Sequence, residues 1–413
     1  MGVPRSRRLI MAAAAAAVLL RLLFGLLYWT GKPLTHDERE YLSLAESLGS
    51  GRGFVYSEPH ETGAGPRFAR APGYPSFLAL LGVSDESGAA PAVVKIVQSF
   101  LGGVVVLMIA TLGWLAAGPR AGVTAGMLAA VYPPLVWVSA YVLSESLYMP
   151  IALGCALLLG EAARRADAAH SGRAGGALSV AAGAAAGLAI LVRPAMLLFL
   201  PLAMLWLMTR KQLTLALALC VTAMLMVAPW TLRNLHTYGR VVLVASEGGV
   251  TFWTGNHPLA IGEGDLAANP QIKRADIEFR AAHPGLTAEA LEPLYYKDAF
   301  RNIAARPGWW IRLLARKAFY MVVPVGPSYT LHSARYLVAT VVPYALLVPV
   351  ALAGFIIISR HGRRPVPLYL LGASVLLTCL IFFPQERFRI PVIDPLIIVG
   401  AGAALAAVPR SRP

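Results

Sequence analysis

Apolar residues in this chain come in long runs with few charges between them. The spaced stripes of a soluble amphipathic helix are absent from these runs. Runs of this length predict transmembrane helices. We place them at 9–30, 92–117, 121–139, 145–162, 177–192, 195–209, 212–231, 335–358, 367–383 and 390–408. The alternation expected of the strands of an outer-membrane barrel is missing from them. The runs 177–192 and 195–209 meet at Arg193-Pro194, so they form either a tight hairpin or one broken helix. The predicted fold class is an all-α polytopic membrane protein with about ten (10–12) transmembrane helices. Outer-side juxtamembrane helices and a small outer loop domain complete it.

Two long polar stretches interrupt the pattern. The first, 31–91, lies between the first two runs, and the second, 232–334, precedes the last three. In the second, VVLVASEGGVTFW reads as a β-hairpin turning at Gly248-Gly249. An amphipathic helix follows at about 287–305, ended by Pro307-Gly308. Residues 309–330 have the apolar length of a further span. Arg312, Arg316 and Lys317 favour a helix lying in the interface. The chain thus reads as one integral membrane domain, 1–413, with two external elaborations.

Charge fixes the orientation. The basic clusters Arg5/Arg7/Arg8, Arg120, Arg164/Arg165/Arg173, Arg210/Lys211, Arg360/Arg363/Arg364 and Arg410/Arg412 all fall on one side when ten runs cross. That side is cytoplasmic by the positive-inside rule. The N-terminal run is long and lacks a small-residue cleavage site, so it is expected to be an uncleaved first helix with its N-terminus inside. The net charge of +15 would suggest nucleic acid in a soluble protein. Here it sits in short loops and suits anionic lipid headgroups instead, so no nucleic-acid partner is expected. Only 14% of residues are charged and 57% are hydrophobic. Cys155, Cys220 and Cys379 lie inside apolar runs without metal-ligand spacing and read as structural thiols. The Ala-, Gly- and Arg-rich composition suggests a GC-rich bacterial genome, so the expected location is a bacterial cytoplasmic (inner) membrane.

The unusual polar residues sort to the other, outer side. In THDEREY, Thr35 and Glu38 fit a capping box, which competes with a chemical role for Glu38. Asp37 is not explained by the cap and shares a helix face with Tyr41. An acid there can accept a hydroxyl proton or bind a divalent ion. A helix N-terminus lowers carboxylate basicity, and desolvation would have to offset that. Arg67 and Arg70, in RFARAPGYP, suit bidentate phosphate binding, or else meet lipid headgroups. Glu145 sits at the mouth of a span, either as part of an N-terminal cap or facing a partner in a cavity. Arg193 precedes Pro194 and either binds an anion or snorkels. Arg21, inside the first run, is expected to pair within the bundle. Arg387 and Arg389 reach the outer end of the last run. No nucleotide-binding or zinc-protease motif occurs.

These segments resemble the GT-C glycosyltransferases that use polyprenyl-phosphate sugars. The bacterial branch near protein O-mannosyltransferases and the lipid A aminoarabinose transferase is the nearest likeness. The residues that carry it are DEREY and RAPGYP in the first outer loop, LSESLY, LVRP, PWTLRNLHTYG with GGVTFWTGN, and ERFRIP. They follow the family order over most of the chain. The resemblance implies an inverting transfer of a sugar from a polyprenyl-phosphate donor to a hydroxyl acceptor on a lipid, glycan or protein. The site would face the periplasm or cell exterior. Asp37 would be the general base, with Glu38 beside it. Arg70, Arg193 and Arg387, with Arg67 and Arg389, would hold the donor phosphate. Tyr41, Tyr74, Glu145, Asn256 and His257 would line the acceptor or sugar site. A divalent metal is compatible with the acids and is not selected by their spacing. Two departures stand out: the chain is short for the family, and RAPGYP replaces a double-proline form, which implies a different acceptor.

A transporter or flippase for a lipid-linked or anionic substrate is the rival reading. Against it, the hydropathy shows no inverted repeat, and the polar residues gather at one surface, not at the midplane. An inactive membrane scaffold would scatter its charges over both sides.

Overall fold

Proline and glycine decide where the apolar runs break into helices. A computed structural model describes residues 2–56, 70–83, 88–169, 172–264, 267–323, 326–328, 332–360 and 365–408. In chain order the helices are α1 Val3–Leu23, α2 His36–Gly49, α3 Gly73–Leu80, α4 Ala92–Ala117, α5 Pro119–Val131 and α6 Pro133–Trp137. Then come α7 Glu145–Ala168, α8 Gly176–Val192, α9 Phe199–Thr209, α10 Leu213–Tyr238, α11 Gly248–Gly255 and α12 Pro270–Ala281. The last six are α13 Ala288–Ala305, α14 Pro307–Val322, α15 Ala334–Arg360, α16 Val366–Ile381, α17 Glu386–Arg389 and α18 Ile393–Ala407.

Every predicted apolar run is helical. Among the described residues, five helices are long and apolar enough to cross a membrane, or six when the bent pair α5–α6 counts as one span, and four shorter apolar helices accompany them. The protein is therefore a multi-pass membrane protein. The 61° bend between α5 and α6 falls at Pro133, whose ring cannot continue the helix. Arg21 of α1 occupies that break. It donates to the carbonyls of Ala129, Ala130 and Leu135, and to Ala17 on its own helix. A buried guanidinium thus satisfies backbone groups that the break sets free.

Two buried clusters make up the membrane core. One joins α2 and α3 to α7, α8, α9 and α10. The other joins α1, α4, α5 and α18. Small residues set the closest approach. At the α15–α18 crossing, a Cβ on Gly354 would lie 1.8 Å from the Gly400 carbonyl oxygen. Cys155 and Cys379 are buried, and all three thiols are free.

The second long polar stretch, the expected outer unit, packs Phe252, Trp253, Leu291, Tyr295 and Leu313, drawn from α11, α13 and α14, around its own small core. The expected hairpin at 241–253 does not form, and no strand occurs among the described residues. Helix α10 runs on to Tyr238, past the expected end of its run, and stops at Gly239 with φ of 64°. Its side chains then capture the apolar segment. Asn234 donates to Val242 O, Trp230 to Val244 O and Thr231 to Leu243 O. Carbonyls bound in this way have no use for a partner strand. Gly248 and Gly249 start α11 instead, pressed on Glu292 of α13. Helix α14 buries Leu313 and Lys317 and exposes Ile311, Phe319 and Val322, as an interfacial helix does.

Candidate active site

The first long polar stretch forms as its local chemistry dictates. Thr35 caps α2 and Glu38 completes the capping box. Glu38 Oε2 accepts from the Thr35 amide and hydroxyl, and Oε1 accepts from the Val142 amide at 2.8 Å. Both oxygens are thus spent on holding α2 to the loop before α7. Glu38 is buried and stands apart from the charged cluster beside it.

Asp37, one residue earlier, points into that cluster. Its Oδ1 lies 2.5 Å from Arg70 Nη2 and its Oδ2 lies 2.5 Å from Arg387 Nη1. Arg70 arrives from the turn before α3. A Cβ on Gly73 would lie 2.9 Å from the Leu191 carbonyl oxygen, so only glycine lets this turn sit on the end of α8. Arg70 also donates to Glu40 from Nε at 2.6 Å, stands 3.9 Å from Glu247, and lies over the Tyr41 ring.

A second pair adjoins the first. Arg193 follows the last turn of α8, and Pro194 forces it into extended backbone, φ −144° and ψ 111°. That turns its side chain to Glu145, at 2.7 Å, and to the Ser144 hydroxyl. Tyr41 donates to the same hydroxyl, which joins the two pairs. The Phe388 ring is 5.5 Å from the Arg193 guanidinium and 5.7 Å from that of Arg387.

The electrostatics follow. Burial raises the Asp37 carboxyl, but Arg387 and Arg70 outweigh it and hold the group well below the usual carboxylate range. Burial lowers Arg387, and Asp37 together with Glu145 more than restores it. Asp37, Glu40, Glu145 and Glu247 face Arg70, Arg193 and Arg387, so four carboxylates compensate three guanidiniums. An incoming anion must compete with a carboxylate for each arginine.

Of the remaining expected residues, Tyr74 packs edge-on against the Tyr41 ring at 4.9 Å, and the other described ones sit elsewhere. Arg389 is buried with Asp394 at 3.3 Å and over the Tyr344 ring, away from Arg387 two residues earlier. Tyr74 is fully buried and donates to Gln98. Asn256 is buried in the outer unit, accepting from Trp310 and Lys317 and donating to Phe252 O and Ile381 O. His257 stacks on Trp253. Arg67 lies outside the described residues. Glu40 and Glu247 join the cluster without having been assigned a role in it. The signal for Glu40 was its place three residues after Asp37 on one helix face; Glu247 had none beyond its acidity. As for a metal, both Asp37 oxygens are engaged by arginines. Among the described residues, no three His, Cys, Asp or Glu side chains converge to hold an ion. This donor set does not fit a divalent cation, and no step below uses one.

No family model matches the chain. No curated protein matches it in sequence. Solved structures do match. The chain is similar to the apo oligosaccharyltransferase of Archaeoglobus fulgidus, at 18% identity and TM-score 0.61, over 97% of this chain and 50% of that one. It is similar to archaeal oligosaccharyltransferase AglB from the same organism, in complex with an inhibitory peptide and a dolichol-phosphate, at 16% identity and TM-score 0.57 over 97% and 50%. ArnT from Cupriavidus metallidurans bound to undecaprenyl phosphate matches at 16% identity and TM-score 0.41, over 97% of this chain and 78% of that one. The likeness to the oligosaccharyltransferase establishes the GT-C membrane fold. The chain spans about half the length of those oligosaccharyltransferase chains.

Proposed function

We propose that this protein transfers a sugar from a polyprenyl-phosphate donor to a hydroxyl acceptor at the outer boundary of a bacterial cytoplasmic membrane. The observation that carries the reading is Asp37 held between Arg70 and Arg387, with Arg193 beside them. Three arginines converging at one surface match the charge and geometry of a phosphate. The GT-C fold is compatible with a donor whose tail stays in the membrane.

In the proposed reaction the donor phosphate draws Arg70 and Arg387 off Asp37. Asp37 then loses the partners that depress its basicity and becomes a better proton acceptor. It takes the acceptor hydroxyl proton as the hydroxyl oxygen attacks the anomeric carbon. The bond from that carbon to the phosphate oxygen breaks on the opposite face, and its electron pair stays on the phosphate. Arg70, Arg193 and Arg387 stabilise the charge that grows there. The anomeric centre inverts. Tyr41 supports Arg70 from below, and Glu145 holds Arg193 in place.

Binding of polyprenyl phosphate to the purified protein in phosphatidylcholine discs tests the reading. Saturable binding that weakens about tenfold in Arg70→Ala supports it, since a charge-assisted contact of this kind is worth that ratio. Unchanged affinity removes Arg70 from the donor site.

A further inference from the structure

The turn Gln385–Arg389 has two faces. Arg387 points to Asp37 on one of them. On the other, Glu386 faces a shallow cleft between α14, α16 and the start of α18. Hydrogen bonds from Gly264 N to Pro384 O and from Gln385 to Gly264 O pin this turn to the outer unit. The cleft is graded. Val323, Val375, Leu376 and Ile393 form its apolar part, and Glu263 and Glu386 line its polar part. Leu376 is 40% exposed beside the equally exposed Leu377, so the apolar part opens onto an apolar surface of α16.

Glu386 is the unexplained group. Its side chain is only 8% exposed. Neither carboxylate oxygen takes a hydrogen bond among the described residues, and Arg389 approaches Oε1 only at 3.5 Å. A buried carboxylate without donors is costly, so this one is suited to a ligand that brings them. Glu263 differs: its oxygens already accept from the Ser328 amide and hydroxyl. Arg389 is engaged by Asp394 as well as by Glu386. Arg389, the guanidinium that lines the cleft among the described residues, is thus held by two carboxylates, which disfavours an anion there.

We propose that this cleft binds the head group of a membrane lipid carrying hydroxyl or amine donors, with Glu386 as their acceptor and the acyl chain along Leu376. Under the proposed transferase reading this lipid is the acceptor substrate; the binding itself does not depend on that reading. Two faces of one short turn then receive two lipids, an anionic donor at Arg387 and a donor-bearing acceptor at Glu386.

The test uses photoreactive decyl glucoside, decylamine and decyl phosphate with the full chain in phosphatidylcholine discs, whose head groups have no hydrogen-bond donors. Labelled peptides are mapped by mass spectrometry. The glucoside or the amine is expected to label 375–393 saturably, and whichever does so identifies the head-group chemistry. Labelling should fall about tenfold in Glu386→Gln, the ratio for a lost charge-assisted hydrogen bond. It should fall likewise in Leu376→Trp, which blocks the apolar part, and stay unchanged in Arg387→Ala. Leu376→Trp keeps the test valid if Glu386→Gln does not fold. No saturable labelling by either probe, or labelling indifferent to both substitutions, overturns the proposal. Preferential labelling of the cleft by decyl phosphate also overturns it. A failure of donor binding at Arg387 leaves these outcomes untouched, so the two readings fail separately.

Discussion

Asp37→Asn is expected to do two things of opposite sign: to tighten binding of the donor phosphate while removing turnover. In the wild type Asp37 occupies both Arg70 and Arg387, with N···O distances of 2.5 Å. Asp37 is 18% exposed, Arg70 16% and Arg387 32%, so the pairs are partly screened by solvent. At that depth each contact is worth about 1 kcal/mol net. A phosphate that must displace one or both gives up about 1–2 kcal/mol of its own binding. Asparagine keeps the shape and removes the charge, so that loss disappears. The dissociation constant of polyprenyl phosphate should fall by about tenfold, the equivalent of about 1.4 kcal/mol. Titration of polyprenyl phosphate into wild-type and Asp37→Asn discs measures it, with turnover of a labelled donor followed in parallel. Weaker or unchanged phosphate binding in the variant refutes the competition argument. Wild-type turnover would exclude Asp37 as the proton acceptor.

Neighbouring arginines should separate cleanly. Arg387→Ala should weaken polyprenyl phosphate binding about tenfold with little loss of stability, because its side chain is partly exposed. Arg389→Ala should leave binding unaltered in the folded fraction and destabilise by about 3–5 kcal/mol, since Asp394 stays buried without its partner; thermal unfolding and binding together distinguish the two. Gly354→Ala forces α15 away from Gly400 and should destabilise by about 1–3 kcal/mol, read as a lower unfolding temperature. Burial pushes Lys317 down from 10.5 to about 7. Its folded value is depressed, so the unfolded chain binds the extra proton between about 7 and 10.5, and stability should rise with pH across that window. Lys317→Met should abolish the rise; an equally steep profile in that variant would show that another group causes it.

The helices were legible because a membrane span is written in a single local property, the length of an apolar run. The capping box at Thr35 was legible for a similar reason, since its partners are three residues apart. Directions of side chains were not. Arg387 and Arg389 are two residues apart and equally basic, yet they point to different clusters because Gly264 fixes the turn before them from over a hundred residues away. Glu40 and Glu247 join the site through Arg70, a contact that no sequence period encodes. VVLV has strand composition but is held by Trp230, Thr231 and Asn234 of the preceding helix, a tertiary effect that overrides β-propensity. Asn256 looked like a loop residue available to substrate. Its amide is instead used up by the joint between α11, α14 and α16.

The most direct measurement of the central claim is sugar release from labelled polyprenyl-phosphate sugars by the purified protein in lipid discs, with a crude acceptor extract, in wild type and Asp37→Asn. The account predicts release by the wild type with at least one donor, and none by the variant despite normal folding and tighter phosphate binding. No release from any donor by folded wild-type protein would contradict it and bring the lipid-transporter reading forward.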